Sequence, residues 1–429
     1  MENDRPKRLH FITELNLSDT QSPDQPVAIG QPILVGTHMA QIPSPTQSQA
    51  HYYVDTPSQL QAFEQENREI TWLGFDTEFI SEKRFYPMLC LIQVITEHGV
   101  YLIDPMVLED LTPFLSMVEN PAILKITHAG DNDYRLLHAL YGIYPKSLFD
   151  TQIAAGFLSH TYPISFQNLV EKEFRVSLNK SFAVTDWEAR PISPQQLDYA
   201  LNDVLYLPEL WTRMTQQLEA LNRLPWLQEE IAKLEVPKYY ESDTMKDFLK
   251  STLNTQLNRQ ERIFLVRLMA WRLDEAKRRN ATKELVLPSK TMMLIAKGMS
   301  QGQSGLRQNR MISDKLIQNH WDLFNRLFKT TITADEEALL KQIPKWREES
   351  PEQALSSEFL YLLIRDRCLK ARIAHTIVVS KSSLRSHDKF LDSGWRKELL
   401  GESLIQWMKS QKVVSFEMLD DRCLVKFVD

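Results

Sequence analysis

Residues Thr71-Trp72-Leu73-Gly74-Phe75-Asp76-Thr77-Glu78-Phe79 form an apolar run that ends in two acids. Successive side chains of a strand alternate faces, so Asp76 and Glu78 point the same way. Two carboxylates side by side repel unless one keeps a proton or a cation lies between them, and a divalent ion held by oxygen ligands is one solution. Alone, an Asp-x-Glu pair is equally the solvated end of a strand. What decides is whether the chain folds further acids onto it.

Working outward, 89–96 and 99–103 read as two more apolar strands separated by Glu97-His98-Gly99, which predicts an antiparallel meander. A helix over 57–67 precedes it. A helix over 107–118 and a strand over 122–127 follow, and strand and helix then alternate, which predicts an α/β class with a mixed sheet flanked by helices. After His128-Ala129-Gly130, Asp131 suits a helix cap. Asp133 falls on the side of Leu137 and Leu140, where an acid needs a reason. Asp150, after a strand over 147–149, is placed to cap a helix over 151–158. A later helix over 194–218, with Ser193 as N-cap and Pro194 at its first position, stacks Tyr199 and Asp203 on one face, and Pro208 kinks or ends it.

A chain of 429 residues with 43% hydrophobic content supports two or three cores. The net charge is −6, but residues 241–330 hold 17 Lys and Arg against 9 Asp and Glu, a net +8 that leaves −14 elsewhere. One basic block in an acidic chain favours phosphate contacts. Its cations Arg262, Arg267, Arg272, Lys277, Arg278, Arg279 and Lys283 follow one helix and its end, whereas Trp271 reads as core. Cys90, Cys368 and Cys423 are isolated, which suggests neither a disulfide framework nor a zinc site, and no stretch approaches the ~18 apolar residues of a membrane span. A cytoplasmic protein is expected. Residues 1–50, rich in Pro, Gln, Ser and Thr, read as a disordered arm.

Together these segments resemble the ribonuclease D branch of the DEDD exonuclease superfamily. The first motif is Phe75-Asp76-Thr77-Glu78-Phe79, followed by 86–93 and Leu102-Ile103-Asp104-Pro105. The second is His128-Ala129-Gly130 leading to Asp133, with Asp150-Thr151-Gln152 downstream. The third is Asp186-Trp187, Arg190-Pro191 and 199–207, and its tyrosine four residues before Asp203 matches the DEDDy subgroup. The resemblance implies a ribonuclease H-like exonuclease domain over 51–225, a linker over 226–250, an HRDC domain over 251–332 and a second, divergent HRDC-like helical domain over 333–412. Residues 413–429 read as a hairpin, since two apolar runs flank Asp420-Asp421.

What the resemblance implies for chemistry is 3'-5' hydrolysis of RNA by two divalent metal ions, Mg or Mn, releasing nucleoside 5'-monophosphates, with tRNA precursors and other small structured RNAs as substrates. Asp76 would bridge the ions, Glu78 and Asp203 would bind the one that activates water, Asp133 would hold the second, and Tyr199 would orient the water. His128 reads as a packed residue. Lys180 and Arg190, before the third motif, are candidate nucleic-acid contacts, as are Arg272, Lys277, Arg278 and Arg279. None of the five site residues tests for a 2'-hydroxyl, so a DNA exonuclease stays open, as does a nucleic-acid-binding module without catalysis.

Overall fold

The computed structural model describes residues 50–178, 185–241, 257–342, 350–384, 388–409, 413–419 and 422–428. The arm over 1–49, Lys180 and residues 242–250 of the expected linker lie outside the described residues. The chain enters through β1 (His51–Val54) and α1 (Pro57–Glu66), then forms β2 (Trp72–Ile80), β3 (Met88–Ile95) and β4 (Val100–Ile103). Next come α2 (Thr112–Glu119), β5 (Leu124–Thr127), α3 (Asp131–Tyr141), β6 (Leu148–Asp150), α4 (Thr151–Gly156) and α5 (Phe166–Phe174). The strands make one sheet in the order β1-β4-β3-β2-β5-β6. The β2-β3-β4 meander is antiparallel, whereas β1 joins β4, β5 joins β2 and β6 joins β5 in parallel.

Two helices depart from the residue pattern, one in its start and one in its continuity. Asp104 accepts from the Met106 N–H and Asp110 from the Thr112 N–H, so two aspartate-led turns occupy 104–112 and α2 begins only at Thr112. The single helix expected over 194–218 is two, α6 (Pro194–Leu205) and α7 (Leu207–Ala220), broken at Tyr206 because Pro208 lacks the N–H that continuation requires. The break lets α6 lie across β2, β3 and β4 while α7 packs on β5. Gly74 permits this approach: a Cβ there would stand 2.7 Å from the Ile95 side chain and 3.2 Å from Leu207.

Residues 226–241, expected as linker, fold onto the sheet. They follow the start of α8 (Leu224–Ala232) and include α9 (Pro237–Tyr240), with Leu227, Ile231, Leu234 and Tyr240 buried. Glu235 ties them down by accepting from the Leu148 N–H at 3.0 Å.

A first helical group follows: α10 (Arg259–Arg279), α11 (Lys283–Val286), α12 (Ser289–Gly298), α13 (Gly302–Gln308), α14 (Asp314–Lys329) and α15 (Ala334–Gln342). Phe264, Leu268, Ile295, Leu306, Ile317, Phe324 and Leu339 form its separate core, and Trp271 packs against it. The last group comprises α16 (Pro351–Ala371), α17 (His375–Val378), α18 (Lys381–Leu384), α19 (Gly394–Leu400) and α20 (Glu402–Met408), and an antiparallel pair β7 (Val413–Leu419) and β8 (Arg422–Val428) ends the fold. This group shares the core of the sheet-bearing part. Trp395, 1% exposed, packs its ring 4.9 Å from Phe157 and 5.9 Å from Trp226, and its indole N–H donates to Glu230. Burying a side chain of this kind contributes roughly 2–3 kcal/mol.

Candidate active site

Strand alternation divides the acids between two faces of β2. Gly74 meets Leu207, so Asp76 and Glu78, two and four residues on, face α6 and α7. Phe75 packs edge-on to Phe114 at 5.6 Å on the other side, and Thr77 follows it toward α3. On the α6 side, Asp76, Glu78 and Asp203 each place a carboxylate oxygen within 4.8 Å of the others'. Tyr199, one turn before Asp203 on α6, donates its hydroxyl to that carboxylate and packs its ring 6.3 Å from buried Trp187.

Asp133 is buried and does not join those three; it accepts a hydrogen bond from the Thr77 hydroxyl on the opposite face. Among the other acids it nevertheless exerts the strongest charge effect on Asp76. Thr77 carries no sign of this role in the residue pattern, because only the path of α3 across that face brings it to Asp133. Asp131 is not the cap it was expected to be: Gly130 holds that position, and Asp131, in the first turn, pairs with Arg135 at 3.0 Å. Asp150 caps α4 by accepting from the Gln152 and Ile153 N–H groups, and it also accepts from those of Ala129 and Gly130. One buried carboxylate thus fixes both the start of α4 and the turn that launches Asp133. His128 spans Thr151 and the Ile164 carbonyl, each at 2.9 Å, and is a packed hydrogen-bonding residue.

A Cβ on Gly130 would lie 2.6 Å from the Thr127 hydroxyl and 2.7 Å from the buried Tyr134 ring. Gly130→Ala should therefore cost about 1–3 kcal/mol and displace Asp133 with its turn. Denaturant melts and turnover of the variant check this; unchanged values in both would refute it.

Burial, then the neighbouring acids, pushes Asp76 well above the ordinary carboxylate range and Glu78 up to about 9. Burial also raises Asp133 and Asp203 to about 7, against the opposing hydrogen bonds of Thr77 and Tyr199. No Lys or Arg pairs with any of the four among the described residues. Gln93, directly opposite Asp76 and fully buried, has neither amide oxygen nor nitrogen bonded to protein there. An all-oxygen cluster short of positive charge, beside an unsatisfied amide, fits hard divalent cations.

These raised values fix a sign. The folded metal-free chain holds protons that unfolded carboxylates release near pH 4, so its stability falls as pH climbs from there toward about 7 to 9. In chelator the melting temperature should drop between pH 5.5 and 8.5, and Mn should raise it more at pH 8.5, where ligands need shed fewer protons. Melting scans at the two pH values test this; a larger metal effect at pH 5.5 would contradict it.

Arg190 is not free to meet a phosphate. Its guanidinium grips Asp104 at 2.6 and 2.9 Å and donates to the carbonyls of Cys90, Trp187 and Ala189, which uses all five N–H groups. Arg272 is likewise withdrawn: it is 7% exposed and donates to the Leu287 carbonyl and Ser289. Arg267 is held by Glu336 and by the carbonyls at the end of α14. Arg278 and Arg279 are exposed but share Glu275, whereas Lys277 and Lys283 have no ion pair among the described residues. The end of α10 touches the loop after Glu78: the Tyr86 N–H donates to Asn280 at 2.9 Å and the Thr282 N–H to the Lys83 carbonyl at 3.3 Å.

A family model for 3'-5' exonucleases matches residues 52–219, which carry all four acids and Tyr199. Ribonuclease D of Sphingobium indicum is 31% identical over 363 residues, covering 79% of this chain and 90% of that protein. The chain belongs to the ribonuclease D family. Ribonuclease D of Escherichia coli is 29% identical over 77% of this chain and 91% of its own length. Its crystal structure superposes with a TM-score of 0.73, covering 84% of this chain and 99% of that one. The catalytic core of RRP6 from Trypanosoma brucei, 22% identical with a TM-score of 0.51 over 68% of this chain and 80% of its own, shares the fold. As a ribonuclease D family member, the protein is a metal-dependent 3'-5' exoribonuclease. No helix among the described residues is long and apolar enough to cross a membrane.

Proposed function

We propose that this protein trims single-stranded 3' ends of structured RNA in the cytoplasm, tRNA precursors foremost, and releases nucleoside 5'-monophosphates. The observation that carries this reading is the convergence of Asp76, Glu78 and Asp203 within 4.8 Å beside Tyr199. Two ions, Mg or Mn, would be held by Asp76, Glu78 and Asp203 on one side and by Asp76 with Asp133 on the other. When bound they lower the pKa of the attacking water and stabilise the departing 3'-oxygen.

The chain's own groups do the remaining work. Burial, followed by the charges of Asp203, Glu78 and Asp76, pushes the Tyr199 hydroxyl far above its ordinary value, so it keeps its proton. With its O–H directed to Asp203, its oxygen is left to accept a hydrogen bond from water, which orients the nucleophile without deprotonating it. The packing of Trp187 against its ring holds the hydroxyl in place.

In the same reading, residues 251–332 are an HRDC domain and residues 333–412 a divergent second one. Lys277, Lys283 and the net charge of Arg278, Arg279 and Glu275 would contact phosphates without reading sequence. Their junction with the loop at Lys83 supports a path from the basic helix end toward Glu78.

The test is decay of a 5'-labelled RNA with a single-stranded 3' tail, beside a DNA of the same sequence, in Mg, Mn or chelator. A ladder shortening from the 3' end of RNA, absent in chelator, is expected. Equal or faster loss of the DNA would move the substrate assignment, and RNA binding with no shortening in either metal would defeat it.

A further inference from the structure

Helix α16 is apolar on two opposite faces. Leu360, Leu363, Ile364 and Cys368 point inward and belong to the shared core. Leu355, Leu362 and Leu369 are 68%, 56% and 78% exposed. Single exposed leucines are ordinary. These three recur every seven residues, and since a straight helix drifts only ~20° per heptad they form one narrow stripe, with a single apolar position per heptad.

The charges along the helix are polarised. Residues 351–361 contain Glu352 and Glu358 and no cation, whereas 362–372 contain Arg365, Arg367, Lys370 and Arg372 against Asp366 alone. Glu352, Glu358, Arg365 and Lys370 are all exposed. Helical spacing sets Glu358 and Arg365 along one edge of the stripe, and Glu352 and Lys370 along the other.

We propose that α16 is a homodimer interface, packing antiparallel against the same helix of a second copy about a two-fold axis at Leu362. Leu362 then meets the partner's Leu362, and Leu355 meets the partner's Leu369. On one flank Glu358 faces the partner's Arg365; on the other Glu352 faces the partner's Lys370. The surface is self-complementary only in this direction: a parallel pair sets glutamate on glutamate and cation on cation. The pairs now made by Glu358 with Lys381 at 2.9 Å and by Lys370 with Asp366 at 2.7 Å are exposed and contribute little, so they exchange readily. A single-helix seam buries less than a standard interface of ~1,200–2,000 Å², the size of a weak, reversible association.

Sedimentation of the full chain from about 1 to 200 µM tests the proposal. The weight-average mass should climb from 50.1 kDa toward twice that value. Leu362→Glu should weaken the dimer at least about tenfold with no loss of melting temperature, since the side chain is exposed. A monomer throughout the range overturns the proposal. A photo-crosslinking amino acid at position 362 identifies the occupant: capture of the same helix of a second copy supports it, and capture of residues 1–49 of the same chain overturns it. Direction is read in a Cys423→Ser background under mild oxidation. Mixed Leu355→Cys and Leu369→Cys chains should link to each other, whereas Leu355→Cys chains linking among themselves would overturn the antiparallel arrangement.

Discussion

Asp76→Asn should lose at least about a thousandfold in turnover while melting higher than the wild type in chelator. The loss follows because Asp76 is the acid with the most acidic neighbours: Asp133, Asp203 and Glu78 all raise it. A metal clamp supplies several kcal/mol of transition-state stabilisation, and each tenfold in rate is ~1.4 kcal/mol. The gain in stability follows from the same repulsion. Without metal, an amide of equal size at Asp76 removes one buried anion from a group of four that lacks a cation. The gain should be largest near pH 8.5, where the acids are most ionised, and should vanish near pH 5. Melts in chelator across that range, beside single-turnover decay of labelled RNA, measure both. A variant that loses activity and also melts lower at pH 8.5 would show that the cluster is not under electrostatic strain.

Arg190→Ala should destabilise the fold by about 3–5 kcal/mol, the usual result of removing one partner of a buried pair. Asp104 has a 2% exposed side chain and also accepts from the Tyr53 hydroxyl at 2.6 Å. Burial pushes Asp104 up, but the Arg190 guanidinium, Tyr53 and the Met106 N–H together hold it below its ordinary value. Truncation at Arg190 leaves that anion buried beside a phenol. Arg190→Lys should recover only part of the loss, because an ammonium cannot span Asp104 and the carbonyls of Cys90 and Trp187 at once. Denaturant midpoints give the stability. Kinetics separate this from a phosphate contact, for which KM and its salt dependence would shift while the melting temperature stayed fixed. Arg190 also anchors the Trp187 carbonyl, so kcat should fall through Tyr199, whose ring rests on Trp187.

The meander around Asp76 was legible because alternation and turn residues are local. The pairing of Tyr199 with Asp203 was legible for the same reason: four residues make one helical turn. What escaped was written in contacts far apart in sequence. β1 is four residues long and holds its place by parallel pairing with β4, some fifty residues on. Helix α5, capped by Ser165, lies between the motifs and was not singled out. Arg190 looked like a surface cation because Asp104 and Cys90 come to it only through the sheet. Arg272 looked like its neighbours on α10, and only its angle around the helix sends it to the Leu287 carbonyl.

The shared core has a consequence for the timing of synthesis. Phe157 and Trp226 are made long before Trp395, and their apolar surfaces stay wet until that residue leaves the ribosome. A chain emerges amino end first at roughly 5–20 residues per second. The strand bearing Asp76 and Glu78 is therefore in place while the helix that covers Phe157 and Trp226 is still missing. Arg223, which donates to the Phe157 carbonyl and later to that of Ala371, waits in the same way. The nascent nuclease thus matures in two stages, its sheet early and its supporting wall only once residues 351–409 have followed.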